Sequence, residues 1–154
     1  MLLSFLSIMH HTIRLSQMRI GVDLDGVVAD FTQGWTSQYK LDFDKEIKEE
    51  DITEWGLSKP LTHFEEEIDF WNWAKDFNGS SIFRNLKTYE NSIEALLEVS
   101  MAGHEVIIIS SKPWWAISDT LIWLGENKIP SKEIHFLEDK WTIDCDVYID
   151  DAPH

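Results

Sequence analysis

Three polar clusters and one lysine are the parts of this chain best suited to chemistry. They are Asp23-Leu24-Asp25-Gly26, Ser110-Ser111, Asp150-Asp151 and Lys140. Carboxylates that share a site repel each other unless a cation joins them, and oxygen-only ligands suit Mg²⁺. A hydroxyl, an ammonium and a divalent cation can together hold and neutralise a phosphate group. The set therefore predicts a Mg²⁺-dependent site for a small phosphate ester.

Each residue has a task if the reaction transfers a phosphoryl group to a carboxylate. We expect Asp23 to be the nucleophile, and Asp25 to protonate the leaving oxygen and then deprotonate water. Ser110 would donate a hydrogen bond to the phosphoryl group, and Lys140 would neutralise its charge. The predicted metal ligands are Asp23, Asp25, Asp150 and Asp151.

Gly26 would let the backbone turn tightly, so that N–H groups can hold phosphate oxygens. A simpler interpretation of Asp and Gly after a strand is an ordinary turn, where both are frequent. The order of Ser110, Lys140 and Asp150 further along the chain favours the site.

The elements that would position these residues alternate between strand and helix. Hydrophobic patterns and caps predict strands at 18–23, 105–109, 134–137 and 146–149, and helices at 91–100 and 115–127. The run at 105–109 is continuously apolar, as in a strand buried on both faces of a parallel sheet. The pattern indicates an α/β fold, a doubly wound parallel sheet with helices on both faces. Reactive groups in such sheets lie beyond the carboxyl ends of the strands.

Two segments lie outside this pattern. We interpret residues 1–17 as a leader outside the folded core, because the apolar stretch is too short for the roughly 20 residues that span a bilayer. Residues 31–82 are acidic and rich in tryptophan, which indicates a small helical insertion. Within it, Thr62 and Glu65 form a predicted capping box at the start of a helix. The predicted α/β core then comprises residues 18–30 and 83–154.

Composition narrows the class of partner. The chain has 154 residues, with 13 Lys and Arg against 28 Asp and Glu, a formal charge of −15. A phosphate backbone needs clustered basic residues, so the charge argues against polynucleotides and anionic membranes, but not against one small phosphate ester. Cys145 is the single cysteine, which excludes an internal disulfide and favours a reducing, cytoplasmic location.

The motifs resemble those of haloacid dehalogenase-like phosphohydrolases. The stretches VDLDGVVADF, ISSKP, EDK and YIDDAP are more closely similar to the 5′(3′)-deoxyribonucleotidase family. The resemblance spans residues 18–154 and is weakest in the insertion. It implies a Rossmann-like core, a small helical cap inserted after the first strand, Mg²⁺, and hydrolysis of nucleoside monophosphates.

The resemblance also implies substrate contacts. Phe31, eight residues after the predicted nucleophile, matches a phenylalanine that lines the base pocket, and Ser111 resembles a second phosphate contact. The tryptophans Trp35, Trp55, Trp71 and Trp73 are candidates for stacking on a base or for core packing, whereas core packing is favoured for Trp123. Trp114, Trp115 and Trp141 flank the motif loops and could line the entrance.

The chain departs from the family pattern in two places. Lys112 stands before Pro113, where relatives usually have the proline earlier. The sequence also ends at His154, shortly after the acidic pair, whereas relatives continue with further sheet and helix. It is then either a fragment or a minimal version whose last strand is an exposed edge.

Three other interpretations compete with a nucleotidase. One is a generic small-molecule phosphatase. Another is a phospho-acceptor signalling module, which Lys112-Pro113 would suit; however, such a module has its phosphorylated aspartate in the middle of the chain, and none ends the strand at 105–109. The third is a non-catalytic binding domain. The sequence does not support it, because every residue that the chemistry requires is present.

Overall fold

The computed structural model describes residues 16–52 and 61–152. Within them the chain forms an α/β fold whose four parallel strands stand in the order β3-β2-β1-β4. The strands are β1 (Arg19–Val22), β2 (Glu105–Ser110), β3 (Glu133–Phe136) and β4 (Val147–Ile149). The helices are α1 (Phe31–Phe43), α2 (Glu67–Ala74), α3 (Ser92–Met101) and α4 (Ile117–Glu126).

The strand β2 lies inside the sheet and confirms the prediction of a strand buried on both faces. Ile107, Ile108 and Ile109 are buried, and they alternate between the two faces because successive side chains point in opposite directions. Trp123 of α4 is buried as well, and its indole N–H donates to the carbonyl of Leu86 at 2.7 Å. The predicted strands and the helices near 91–100 and 115–127 agree with the structure to within about two residues.

The segment between β1 and β2 holds α1 and α2. The Asp30 carboxylate caps α1 by accepting from the N–H of Gln33 at 2.9 Å, so the helix begins with Phe31. The prediction that Thr62 and Glu65 cap the next helix is wrong. Glu66 and Asp69 form that capping box, and α2 begins at Glu67.

Aromatic side chains of this segment share one hydrophobic cluster with the sheet. Trp35, Tyr39 and Phe70 belong to the same group of buried residues as Val22 and Ile108. A separate cap at 31–82 therefore stays a prediction. Trp55 and residues 1–15 of the predicted leader lie outside the described residues. No helix among the described residues is long and apolar enough to cross a membrane.

The sheet order brings the polar strand ends together. β1 is flanked by β2 and β4, and Val22 pairs with both Ile108 and Ile149. The carboxyl end of the sheet therefore brings together the residues that follow β1 and β4 and the last residue of β2. In the described residues β4 pairs with β1 alone and is an edge strand, with Ile149 45% exposed.

Candidate active site

An acidic group lies at the carboxyl ends of β1 and β4. One carboxylate oxygen from each of Asp23, Asp150 and Asp151 lies within 4.8 Å of the other two. Asp23 is held in place because its N–H continues the sheet by donating to the carbonyl of Ile149 at 2.9 Å. Burial and the neighbouring Asp23 carboxylate raise the pKa of Asp151 to about 6. Three oxygens this close together form a site suited to a cation.

Lys140 joins two members of this acidic group. Its ammonium donates to Asp23 Oδ2 at 2.7 Å and to Asp150 Oδ2 at 2.6 Å. The lysine begins a short 3-10 helix, Lys140–Thr142, and its side chain is only 10% exposed. Burial alone would lower the pKa of Lys140, but its hydrogen bonds to Asp150 and Asp23 raise it. A positive charge is thus fixed beside the predicted nucleophile.

The side chain of Asp25 lies outside the acidic group. The extended chain ends at Asp23, because the N–H groups of Val28 and Ala29 turn back to the carbonyl of Leu24 at 2.8 and 2.7 Å. Alternation along a strand therefore no longer applies, and Asp25 has a different neighbour from Asp23. Its use as a side-chain metal ligand stays a prediction.

The neighbour of Asp25 is Lys112, which the sequence analysis did not place in the site. The Lys112 ammonium donates to Asp25 Oδ2, and its side chain is 1% exposed. Burial raises the pKa of Asp25 although the Lys112 charge opposes it, and burial likewise lowers the pKa of Lys112. The signal in the sequence was a lysine two residues after Ser110, at the same strand end.

Gly26 makes room for the acidic group. Its backbone is left-handed, with φ of 75°, and a Cβ at this position would overlap the carboxylate of Asp151. The predicted contact of its N–H with phosphate stays a prediction, since that N–H here donates to the carbonyl of Ala29 at 3.0 Å. A residue with a side chain could not occupy this turn without displacing Asp151.

The two serines at the end of β2 have different surroundings. Ser110 is buried, and its hydroxyl has no hydrogen-bond partner among the described residues. A buried polar group is normally paired, so this hydroxyl is available to a ligand. The hydroxyl of Ser111 instead donates to the carbonyl of Leu137 at 3.1 Å. Its role as a second phosphate contact stays a prediction.

An aromatic cluster adjoins Lys112. The ring of Phe31 stacks on Phe83 with centroids 5.4 Å apart and lies 6.3 Å from Trp71. Trp115 contacts Phe83 and Trp71 at 6.0 and 6.2 Å. We call Phe31, Trp71, Phe83 and Trp115 the aromatic cluster. Lys112 lies over the ring of Phe83 and also contacts Asp25, so it links the aromatic cluster, with the predicted base-pocket residue Phe31, to Asp25.

The other candidate tryptophans divide by exposure. Trp35 is buried in the core, and the Trp73 indole donates to Asp42 at 2.8 Å. Trp114 and Trp141 are 79% and 65% exposed on the loops that carry Lys112 and Lys140. Their place at an entrance stays a prediction.

Comparison with known proteins identifies relatives over most of the chain. A family model described as "5' nucleotidase, deoxy (Pyrimidine), cytosolic type C protein" matches residues 17–154. A Chlorobaculum tepidum protein, provisionally named a 5'(3')-deoxyribonucleotidase, is 27% identical over an alignment of 151 residues, and the match covers 92% of this chain and 73% of that protein. The 5'(3')-deoxyribonucleotidase of Bacillus subtilis is 27% identical over 142 residues, and the match covers 88% of this chain and 76% of that protein.

A solved structure from Thermotoga maritima, provisionally described as a β-phosphoglucomutase, resembles this chain with a TM-score of 0.45 and 15% identity. The match covers 78% of this chain and 61% of that one. This likeness is too weak to support a conclusion about function.

Proposed function

Because the chain belongs to the 5' nucleotidase, deoxy (pyrimidine), cytosolic type C family, a family of phosphoric monoester hydrolases, we propose that it dephosphorylates nucleoside monophosphates through a phosphorylated Asp23. The observation that carries this proposal is the meeting of Asp23, Asp150 and Asp151, the first two of which accept hydrogen bonds from the Lys140 ammonium. A carboxylate can attack a phosphate dianion only where positive charge offsets their repulsion. The fixed ammonium meets that need.

The acidic group also fits a magnesium ion. Its three converging oxygens are hard donors of the kind Mg²⁺ prefers, and Mg²⁺ commonly binds through one or two carboxylates plus substrate phosphate. Asp23, Asp150 and Asp151 would hold the ion. When bound, Mg²⁺ supplies charge that stabilises phosphoryl transfer.

Asp23 and Asp25 divide the chemical steps. An oxygen of Asp23 forms a bond to phosphorus while the bond from phosphorus to the ester oxygen breaks, and Asp25 gives that oxygen its proton. Water then attacks the aspartyl phosphate and passes a proton to Asp25, which frees Asp23 and inorganic phosphate. Burial raises the pKa of Asp25, which supports this role because it favours the protonated form that a general acid needs.

Two further residues bind the substrate in this proposal. The unpaired hydroxyl of Ser110 donates to the phosphoryl group. Phe31 lines the base pocket, where the aromatic cluster offers ring faces for stacking.

The single cysteine, Cys145, supports a cytoplasmic location as part of the same proposal.

The experiment is a phosphate-release panel on the full chain. We expect hydrolysis of deoxynucleoside and nucleoside monophosphates that disappears in EDTA and returns with excess Mg²⁺. Sugar phosphates are the matched substrates without a base. If they are hydrolysed as well as nucleotides, the protein is a generic phosphatase; unchanged hydrolysis in EDTA would contradict the metal site.

Gly26→Ala tests the geometry of the metal site. The added Cβ overlaps Asp151, so we expect the Mg²⁺ concentration for half-maximal activity to rise about 10- to 100-fold, the range for changes that misplace metal ligands. Gly79→Ala is the control, because Gly79 also has a left-handed backbone but nothing within 4 Å of an added Cβ. Equal behaviour of the two variants would show that crowding of Asp151 is unimportant.

A further inference from the structure

Lys112 is a buried cation whose contacts the proposed chemistry has not yet used. Its ammonium donates to Asp25 Oδ2 and lies 3.9 Å from the centre of the Phe83 ring. We infer that Lys112 is a positioning residue, which orients the carboxylate of Asp25 toward the leaving oxygen of the substrate. This inference rests on the proposed function, in which Asp25 is the acid and base.

The surroundings of Lys112 fix the ammonium in one place. The side chain is 1% exposed, so bulk water cannot replace its contacts. The Phe83 ring presents its face to the charge, an attraction that strengthens where water is excluded. Phe83 is itself held by stacking on Phe31 at 5.4 Å. The position of the ammonium therefore depends on the aromatic cluster and not on a mobile surface chain.

The contact with Lys112 leaves the two oxygens of Asp25 with different surroundings. Oδ2 is bound by the ammonium, whereas Oδ1 is buried with no hydrogen-bond partner among the described residues. Anchoring one oxygen restricts rotation of the carboxylate, so the other keeps a fixed direction. Oδ1 is then the atom that carries the transferred proton, and it is ready before substrate binds.

The two buried lysines of the site serve different carboxylates. Lys140 bonds Asp23 and Asp150, and Lys112 bonds Asp25. Removing Lys112 should therefore impair proton transfer to the leaving group and spare the attack by Asp23. A general acid matters greatly when the leaving group is a nucleoside alkoxide and little when it is an acidic phenol.

The test compares Lys112→Met on a nucleoside monophosphate and on p-nitrophenyl phosphate, with kcat/KM as the readout. This ratio covers the steps up to departure of the leaving group, so later hydrolysis of the phosphoenzyme does not affect it. For the nucleotide we expect a fall of about 100-fold, the effect of misplacing a catalytic group. For the aryl ester we expect less than about fivefold, since its leaving group needs little protonation.

Two variants serve as references. Asp25→Asn should show the same dependence on leaving group, with a fall of about 10²- to 10⁴-fold for the nucleotide. Lys132→Met removes an exposed lysine, 3.8 Å from Glu105, and should leave kcat/KM unchanged for both substrates. If Asp25→Asn shows the dependence and Lys112→Met does not, the inference about Lys112 is wrong. If Asp25→Asn also lacks it, the proposed acid role fails.

A second substitution of Lys112 separates the positioning role from loss of folding and from direct binding of phosphate. Lys112→Gln keeps a hydrogen-bond donor without the charge, so its loss on the nucleotide should lie between the parent and Lys112→Met. If Lys112 instead binds phosphate directly, kcat/KM should fall equally for both substrates. Inhibition by inorganic phosphate should then weaken in both Lys112 variants. That result would overturn the positioning role.

Discussion

Asp23→Asn is expected to lower phosphate release from nucleoside monophosphates by on the order of 10⁴-fold or more, as when a covalent nucleophile is removed from a hydrolase. The amide is nearly the same size but cannot form the aspartyl phosphate. The carboxamide can still accept a hydrogen bond from Lys140, which also keeps its bond to Asp150 at 2.6 Å. The loss should therefore come from chemistry and not from collapse of the site.

Two measurements separate these causes. Intact-mass analysis of acid-quenched protein should detect a phosphorylated form of the parent and none of the variant, and thermal melting should show both folded. Asp44→Asn is the matched control: it makes the same chemical change at the exposed end of α1, where φ of 52° is a backbone that asparagine tolerates. Turnover within a few-fold of the parent would exclude Asp23 as the nucleophile.

The sheet could be predicted because its signals are local. The apolar run 105–109 and the patterns of the helices near 91–100 and 115–127 each lie within a few residues, and the bounds of β2, α3 and α4 agree with them. The predicted cap of α3 is only half right, because Asn91 is its N-cap residue but makes no side-chain capping hydrogen bond. The start of α2 could not be predicted with the same rules. Thr62 with Glu65 fits the usual capping-box pattern, but Thr62 is buried. Glu66 and Asp69 form the box that the structure has, although their residue types do not match that pattern.

The same division applies to the site. Parallel strands in adjacent positions bring their carboxyl ends together, so the approach of Asp23 to Asp150 fits the adjacent positions of β1 and β4. Lys140 follows β3, which is next to neither strand, so its contacts with Asp23 and Asp150 depend on the path of the chain after β3. The partner of Asp25 did not follow, because the turn after Leu24 ends the strand alternation on which the expectation relied. Lys112 is a long side chain whose direction depends on Phe83, and that aromatic neighbour is set by tertiary packing.

Lys140→Met should make the stability of the protein depend on Mg²⁺. The substitution removes the cation shared by the buried Asp23 and the half-buried Asp150, whose carboxylate oxygens lie within 4.8 Å of each other and of Asp151. Removing one partner of a buried ion pair costs about 3–5 kcal/mol, so in EDTA the variant should melt well below the parent. Mg²⁺ stabilises any folded form that binds it, by about 2.7 kcal/mol at a hundredfold excess over Kd. Without the Lys140 ammonium these carboxylates should bind the ion more tightly, so Mg²⁺ should stabilise the variant more than the parent and narrow the difference between them.

Activity should not recover together with stability. Lys140 also offsets charge between Asp23 and the incoming phosphate, and loss of such a group costs about 10²- to 10³-fold in kcat even with the ion bound. Melting curves and phosphate release across a Mg²⁺ series measure the two effects side by side, with Lys132→Met as the exposed control. If the variant is destabilised equally with and without Mg²⁺, the lysine and the ion do not neutralise the same carboxylates. If Mg²⁺ stabilises neither protein, the acidic group is not the metal site.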